Sequence, residues 1–193
     1  MYTVSEKKKE ADAMKLMIAS DLHGSSCYVR KLMERMEEEK PDKLLLLGDL
    51  LYHGPRNALP EEYSCPSVAD QLNAIKEKIV AVRGNCDSEV DQMVLEFPMM
   101  SDYSLLEVNG ISLFATHGHL WSETYPPRMT EGTVLLNGHT HVPACVAHGT
   151  YTYINPGSTS IPKGGSTGSY LVLEERTFTW KTMDGEVYKT HTM

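Results

Sequence analysis

Four cysteines, Cys27, Cys65, Cys86 and Cys145, lie scattered through 193 residues with no C-x-x-C pair. That spacing excludes a disulfide scaffold and a thiolate zinc site, and it makes a reducing cytoplasm the default location. No apolar run approaches the roughly 20 residues needed to cross a bilayer, so no membrane partner is expected. The first residues, MYTVSEKKKEADAMK, carry lysines but no apolar core, which excludes a secretory signal. Positive charge is also short. A net charge of −8 repels phosphate backbones over long range, so no stable nucleic-acid binding is expected. Repeats, low-complexity tracts and linkers are missing too.

What remains is the composition of a soluble globular protein, 41% hydrophobic and 23% charged, long enough for one domain with a sizeable core. Met14 directly precedes the first strand-like run. Residues 1–13 therefore read as an N-terminal extension, with Lys7–Lys9 a solvated tail, and residues 14–193 as a single domain. Periodicity then predicts a strand at 15–20 and a helix over 25–40, capped by Ser25 or Ser26 with Val29, Leu32, Met33 and Met36 buried. The run DKLLLLGD (42–49) predicts a strand buried on both faces. A proline-containing loop runs from Tyr52 to Pro66. A helix over 67–78, a strand at 79–84 and a short helix over 88–97 follow. After Pro98 come a hairpin about Asn109-Gly110 and further strands from 133 to the end. Methionines 33, 36, 93, 99 and 100 read as core filler. Alternation followed by hairpins suggests two packed sheets with helices outside, an α/β class.

The polar residues recur at one kind of place. Apolar runs lead into Asp21-Leu22-His23-Gly24, Gly48-Asp49, Gly84-Asn85, His117-Gly118-His119 and Gly138-His139-Thr140-His141. In α/β sheets the carboxyl ends of strands are where ligands bind. Taken singly, Asp21 could cap a helix, Asp49 close a turn and Asn85 occupy a left-handed turn. Taken together, Asp21, His23, Asp49, Asn85, His117, His139 and His141 form a donor set of imidazole, carboxylate and amide groups without thiolate. That chemistry suits Mn²⁺, Fe²⁺, Co²⁺, Ni²⁺ or Zn²⁺. Seven donors exceed one tetrahedral site and suit two divalent ions sharing a carboxylate.

The order D-x-H, G-D, G-N-[HC]-[DE], H, G-H-x-H resembles the calcineurin-like metallophosphoesterase superfamily. The stretches at 51–63, 82–93, 116–119 and 155–165 are similar to its small bacterial phosphodiesterases of the YfcE type. The resemblance implies a two-sheet αββα sandwich, a pair of metal ions that are usually manganese, and a small phosphodiester substrate attacked by a metal-bridging hydroxide. It implies one metal on Asp21, His23 and His141, a second on Asn85, His117 and His139, and Asp49 between them. A homo-oligomer is compatible with it. The catalytic roles fall on Asp49, Asn85 and His117 through the metal-held hydroxide. Cys86 stands where many relatives carry histidine, and Asn85 rather than Cys86 is the working residue. His53, Arg56 and Asn57 could contact the substrate phosphate, or form a solvated turn. Asp87 could orient a nearby group from behind the ligands or cap the helix starting near Ser88, and the cap is the expectation; His119 is expected to lie just outside the ligands, and Asn155–Ser158 to be a structural turn. The rival readings are a monoesterase or nuclease on the same site, or a non-catalytic interaction scaffold of the same fold.

Overall fold

The computed structural model describes residues 13–193. The predicted extension and its lysine run thus lie outside the described residues, Ala13 excepted. Strand β1 (Leu16–Ala19) is followed by helix α1 (Ser26–Glu39) and strand β2 (Lys43–Leu46). The Ser25 hydroxyl accepts the Tyr28 N–H and opens α1. Helix α2 (Cys65–Asn73), strand β3 (Ile79–Ala81) and helix α3 (Glu89–Val94) come next. The order continues with β4 (Tyr103–Val108), β5 (Ile111–Thr116), β6 (Thr133–Leu136), β7 (Ala144–Ala147) and β8 (Tyr151–Asn155). The last strands are β9 (Ser169–Glu174), β10 (Thr177–Thr182) and β11 (Val187–Thr192).

Two elements differ from the periodicity. The helix expected over 67–78 starts two residues earlier, because Ser64 caps it and Pro66 suits its first turn, and it ends at Asn73. Lys76–Lys78 form a separate 3₁₀ turn. The helix expected over 88–97 stops at Val94, where the Gln92 side-chain amide donates to the carbonyls of Leu95 and Phe97. Ser88 and Asp91 form its capping box. Asp87 is therefore not the cap.

The strands form a six-stranded sheet in the order β11-β10-β9-β1-β2-β3 and a five-stranded sheet in the order β4-β5-β6-β8-β7. Strands β1, β2 and β3 are parallel, as are β5, β6 and β8. The β4–β5 hairpin turns at Asn109 and Gly110, both at positive φ (52° and 73°), as a type I′ turn requires. Period two sorts the leucine run. Leu44 and Leu46 pack under α1 and α2 with Val29, Leu32, Val68 and Leu72. Leu45 and Leu47 pack between the sheets with Leu113, Val134 and Ile154. On the far face of the five-stranded sheet, Trp121 and Met129 from the irregular stretch after β5 cover Phe114, Leu135 and Tyr153. The expected two-sheet α/β sandwich is thus present. One methionine departs from its expected role: Met36 and Met99 are buried, but Met93 on α3 is 83% exposed.

Candidate metal centre

The parallel strands of each sheet bring their carboxyl ends to one edge. β1 leads into Asp21 and His23, β2 into Asp49, β3 into Asn85, β5 into His117 and β6 into His139. The turns are stitched by backbone bonds: Asp21 N–H to Gly48 O (3.1 Å), His23 N–H to Asp49 O (2.9 Å) and Gly138 N–H to His117 O (2.8 Å). Asp21, His23, Asp49, His139 and His141 all take the left-handed backbone region, at φ of 56°, 46°, 55°, 64° and 61°. Non-glycine residues seldom do so, and the strain persists only where surrounding structure imposes it.

Part of that structure is Asp87. Its carboxylate accepts the N–H groups of Gly84 (2.7 Å), Asp49 (2.8 Å) and Leu50 (2.8 Å) and so locks two strand exits together. The Asn155–Ser160 turn does the same for Asp21. Ser158 and Ser160 hydroxyls donate to the Asp21 carbonyl at 2.9 and 3.0 Å, and Thr159 N–H to Ser20 O at 2.9 Å. The sequence allows an orienting role for Asp87 and a structural turn at Asn155–Ser158, but the partners of either are not legible locally.

All seven expected donors meet. Asp21, His23 and His141 place one ligand atom each within 4.8 Å of one another, as do Asp21, Asp49 and His117, and also His23, Asp49 and Cys86. Asn85 Oδ1 and His139 Nδ1 lie 3.1 and 3.2 Å from His117 Nε2. Asp21, His23, Asp49, His117 and His141 are buried, His139 is half-buried and Asn85 is exposed. The His119 ring lies 5.5 Å from the His117 ring, tilted by 56° to it, beside the cluster.

The rings are oriented from behind. His23, His117 and His141 donate Nδ1–H to the carbonyls of Tyr52 (2.8 Å), Leu47 (2.7 Å) and Ile161 (2.6 Å). Each Nε2 lone pair is thereby left facing the cluster. His23 Nε2 and His141 Nε2 are then only 3.2 Å apart. Two lone pairs that close require a proton or cation beside them. Asp21 Oδ1 is buried with no hydrogen-bond partner, 3.2 Å from His141 Nε2 and 3.6 Å from His23 Nε2. Ligands at about 2.1 Å from one ion sit about 3.0–3.4 Å from each other, so this donor set fits divalent metal. Asp49 faces both halves through one atom. Oδ2 lies 3.7 Å from His23 Nε2 and 3.4 Å from His117 Nε2, while Oδ1 accepts the Cys86 N–H at 2.8 Å.

Beside the cluster lies a cleft of about 340 Å³, lined by His23, Asp49, Asn85, His139 and His141 and by a rim that includes Arg56, Asn57, Cys86 and Lys163. His53 is turned elsewhere, with its ring edge-on to Tyr63 at 5.2 Å. Lys163 was missed in the sequence because nothing local marks a lysine between Pro162 and Gly164 as part of a site.

The electrostatics match the geometry. Burial alone would raise Asp21, but His141 and His23 hold its carboxyl far below the ordinary range. Burial opposes charge on His117 too, yet Asp49 and Asp21 push it up to about 9, and His23 is raised by Asp21 in the same way. Burial, then the neighbouring His117, lower His139. With no cation bound, raised His117 contributes stability fully present below the ordinary 6.5 and lost as pH climbs through about 9, and raised His23 contributes in the same direction. Metal competes for the same lone pairs. Metal uptake is therefore expected to release protons across that window, measurable as buffer-dependent heats in calorimetry. The melting temperature of metal-free protein should fall from pH 6.5 to 9 while that of loaded protein holds. A heat independent of the buffer would contradict this.

The model of the calcineurin-like phosphoesterase superfamily domain matches residues 14–177. Phosphodiesterase YfcE of Escherichia coli (strain K12) is 47% identical over 161 residues, 83% of this chain and 88% of that protein. The probable metallophosphoesterase YsnB of Bacillus subtilis (strain 168) is 26% identical over 167 residues, 83% of each chain. The solved structure of the E. coli phosphoesterase YfcE superposes with a TM-score of 0.90 at 42% identity, covering 93% of this chain and 99% of that one. Vacuolar protein sorting 29 from Cryptosporidium parvum shares the fold alone, with a TM-score of 0.63 at 14% identity over 95% of this chain and all of the other. A family match over most of the length, joined to nearly half identity with a curated member, means that the chain belongs to the calcineurin-like phosphoesterase superfamily.

Proposed function

We propose that the protein is a dinuclear-metal phosphodiesterase of the cytoplasm, acting on small phosphodiesters with manganese as its preferred ion, and that residues 14–193 are its one domain. Asp21, His23 and His141 would hold one ion and Asn85, His117 and His139 the other, with Asp49 between them. The observation that carries this reading is the single Asp49 oxygen within 3.7 Å of an imidazole from each set. Bound there, two divalent ions supply a water-derived nucleophile near neutral pH and neutralise charge on the phosphoryl oxygens. The chain's own groups do the positioning. The carbonyls of Tyr52, Leu47 and Ile161 aim three imidazoles, and the Cys86 N–H holds Asp49 by Oδ1 with Oδ2 facing both sets. Arg56 and Asn57 at the rim would contact phosphate oxygens of the substrate. The size of the cleft favours small substrates, and a net charge of −8 disfavours a nuclease. The E. coli relative named a phosphodiesterase supports the reaction class, and four free cysteines support a reducing compartment.

The test is metal analysis of purified protein together with hydrolysis of bis(p-nitrophenyl) phosphate across added Mn²⁺, Fe²⁺, Co²⁺, Ni²⁺ and Zn²⁺. Two metal equivalents and diester turnover highest with Mn²⁺ are expected. Two equivalents without turnover of diester or monoester would favour the interaction-scaffold reading.

Cys86 has no nucleophilic role in this scheme. Burial, then the charge of Asp49, push its thiol up to about 12, so thiolate is scarce at neutral pH. Cys86→Ser is expected to keep kcat within about threefold of the parent. A loss beyond about a hundredfold with metals still bound would overturn this assignment.

A further inference from the structure

Two cations stand at the cleft. Arg56 and Lys163 both line it, and neither forms an ion pair among the described residues.

Their loops are built into the site. The loop bearing Arg56 is clamped where the Tyr52 carbonyl accepts His23 Nδ1–H (2.8 Å), and is tightened by Asn57 Nδ2–H on His53 O (2.8 Å). The loop bearing Lys163 is clamped twice to His141. The ring Nδ1–H reaches Ile161 O at 2.6 Å, and Lys163 N–H reaches the His141 carbonyl at 3.1 Å. Ser166 then folds that loop back, its hydroxyl donating to Lys163 O at 2.6 Å. Both clamps end on imidazoles whose Nε2 atoms are 3.2 Å apart. Both loops are thus anchored to the His23–His141 pair, and both cations line the one cleft.

Charge balance says what they are for. Two divalent ions held there would be neutralised by Asp21, Asp49, a hydroxide and the single charge of a simple phosphodiester. Arg56 and Lys163 are surplus to that set. We infer that the substrate carries a second anionic group, a phosphomonoester dianion, and that Lys163 and Arg56 bind it at the cleft mouth. This rests on the diesterase reading above. A guanidinium grips a phosphate through two parallel N–H bonds and an ammonium adds a point charge, a pairing suited to a terminal phosphate.

The matched probes are the p-nitrophenyl ester of thymidine 5′-phosphate with and without a 3′-phosphate, for turnover. Thymidine 3′,5′-bisphosphate and thymidine 5′-monophosphate serve for calorimetric binding to manganese-loaded protein. The bisphosphate should bind about tenfold tighter, and its ester should turn over with correspondingly higher kcat/KM. The advantage should shrink with added NaCl and fall below about threefold in Lys163→Met and in Arg56→Gln. Equal affinities in the parent, or an advantage unchanged in both variants, would overturn the inference. If neither ester is hydrolysed while the bisphosphate still binds preferentially, the cationic site stands and the diesterase reading falls. If both esters are hydrolysed and bound equally, the reverse holds.

Discussion

Asp49→Asn is expected to lower kcat/KM for a chromogenic diester by about a thousandfold or more while the protein stays folded. The amide nearly matches the carboxylate in shape, so packing survives and Oδ1 can still accept the Cys86 N–H. What is lost is one negative charge at the atom lying 3.4 Å from His117 Nε2 and 3.7 Å from His23 Nε2. A metal's stabilisation of developing charge is worth several kcal/mol, and each 1.4 kcal/mol is tenfold in rate. Metal content should drop from two equivalents toward one, because neither imidazole set keeps its shared carboxylate. Circular dichroism, metal analysis and initial rates on one preparation check this. An Asp49→Asn protein with two tightly held ions and activity within tenfold of the parent would remove Asp49 from the centre of the scheme.

The second large effect belongs to a residue with no side chain. A Cβ added at Gly138 would lie 1.8 Å from Ser20 Oγ and 2.7 Å from Asp21 Oδ2. Contacts that short cannot be absorbed without moving the β1 exit against the β6 exit, where His139 N–H also donates to Asp21 Oδ2 at 3.1 Å. Gly138→Ala is therefore expected to cost about 3 kcal/mol, or roughly 6–12 °C in Tm for a chain of this size. It should also weaken metal binding, because Asp21 is the group displaced. Adding Ser20→Gly, which removes the atoms met at 1.8 and 2.8 Å, should recover part of the lost stability. An alanine variant with unchanged Tm and metal content would show that this approach is not tight in solution.

Much of the centre could be read without coordinates because burial and chemistry conflict there. A run such as LLLL can only be buried, so the glycine and aspartate that end it must lie at a sheet edge. Five such endings with ligand-type side chains already pointed to one site. The same reasoning failed where a side chain acts on distant backbone. Asp87 reads as a cap because Ser88 follows it, yet its carboxylate is taken by N–H groups of Asp49 and Leu50, 38 and 37 residues away. His53 reads as a rim residue because its neighbours are, and its ring packs edge-on to Tyr63 while Arg56 and Asn57 line the cleft. Met93 reads as core because methionine usually is, but α3 is too short and too peripheral to bury it.

Local order thus determined where strands end, which donors stand at those ends, and the Asn109-Gly110 turn, since each depends on the preferences of a few adjacent residues. Nothing local pairs His23 with His141, 118 residues apart; the resemblance implies the pair, and the three-dimensional packing brings their Nε2 atoms 3.2 Å apart. It likewise decided that one Asp49 oxygen is spent on the Cys86 N–H and that Lys163 reaches the cleft. Those outcomes follow from which strands pair and which loops cross the seam between the sheets. Pairing of that kind depends on contacts summed over the whole core, and no short stretch of the chain encodes it.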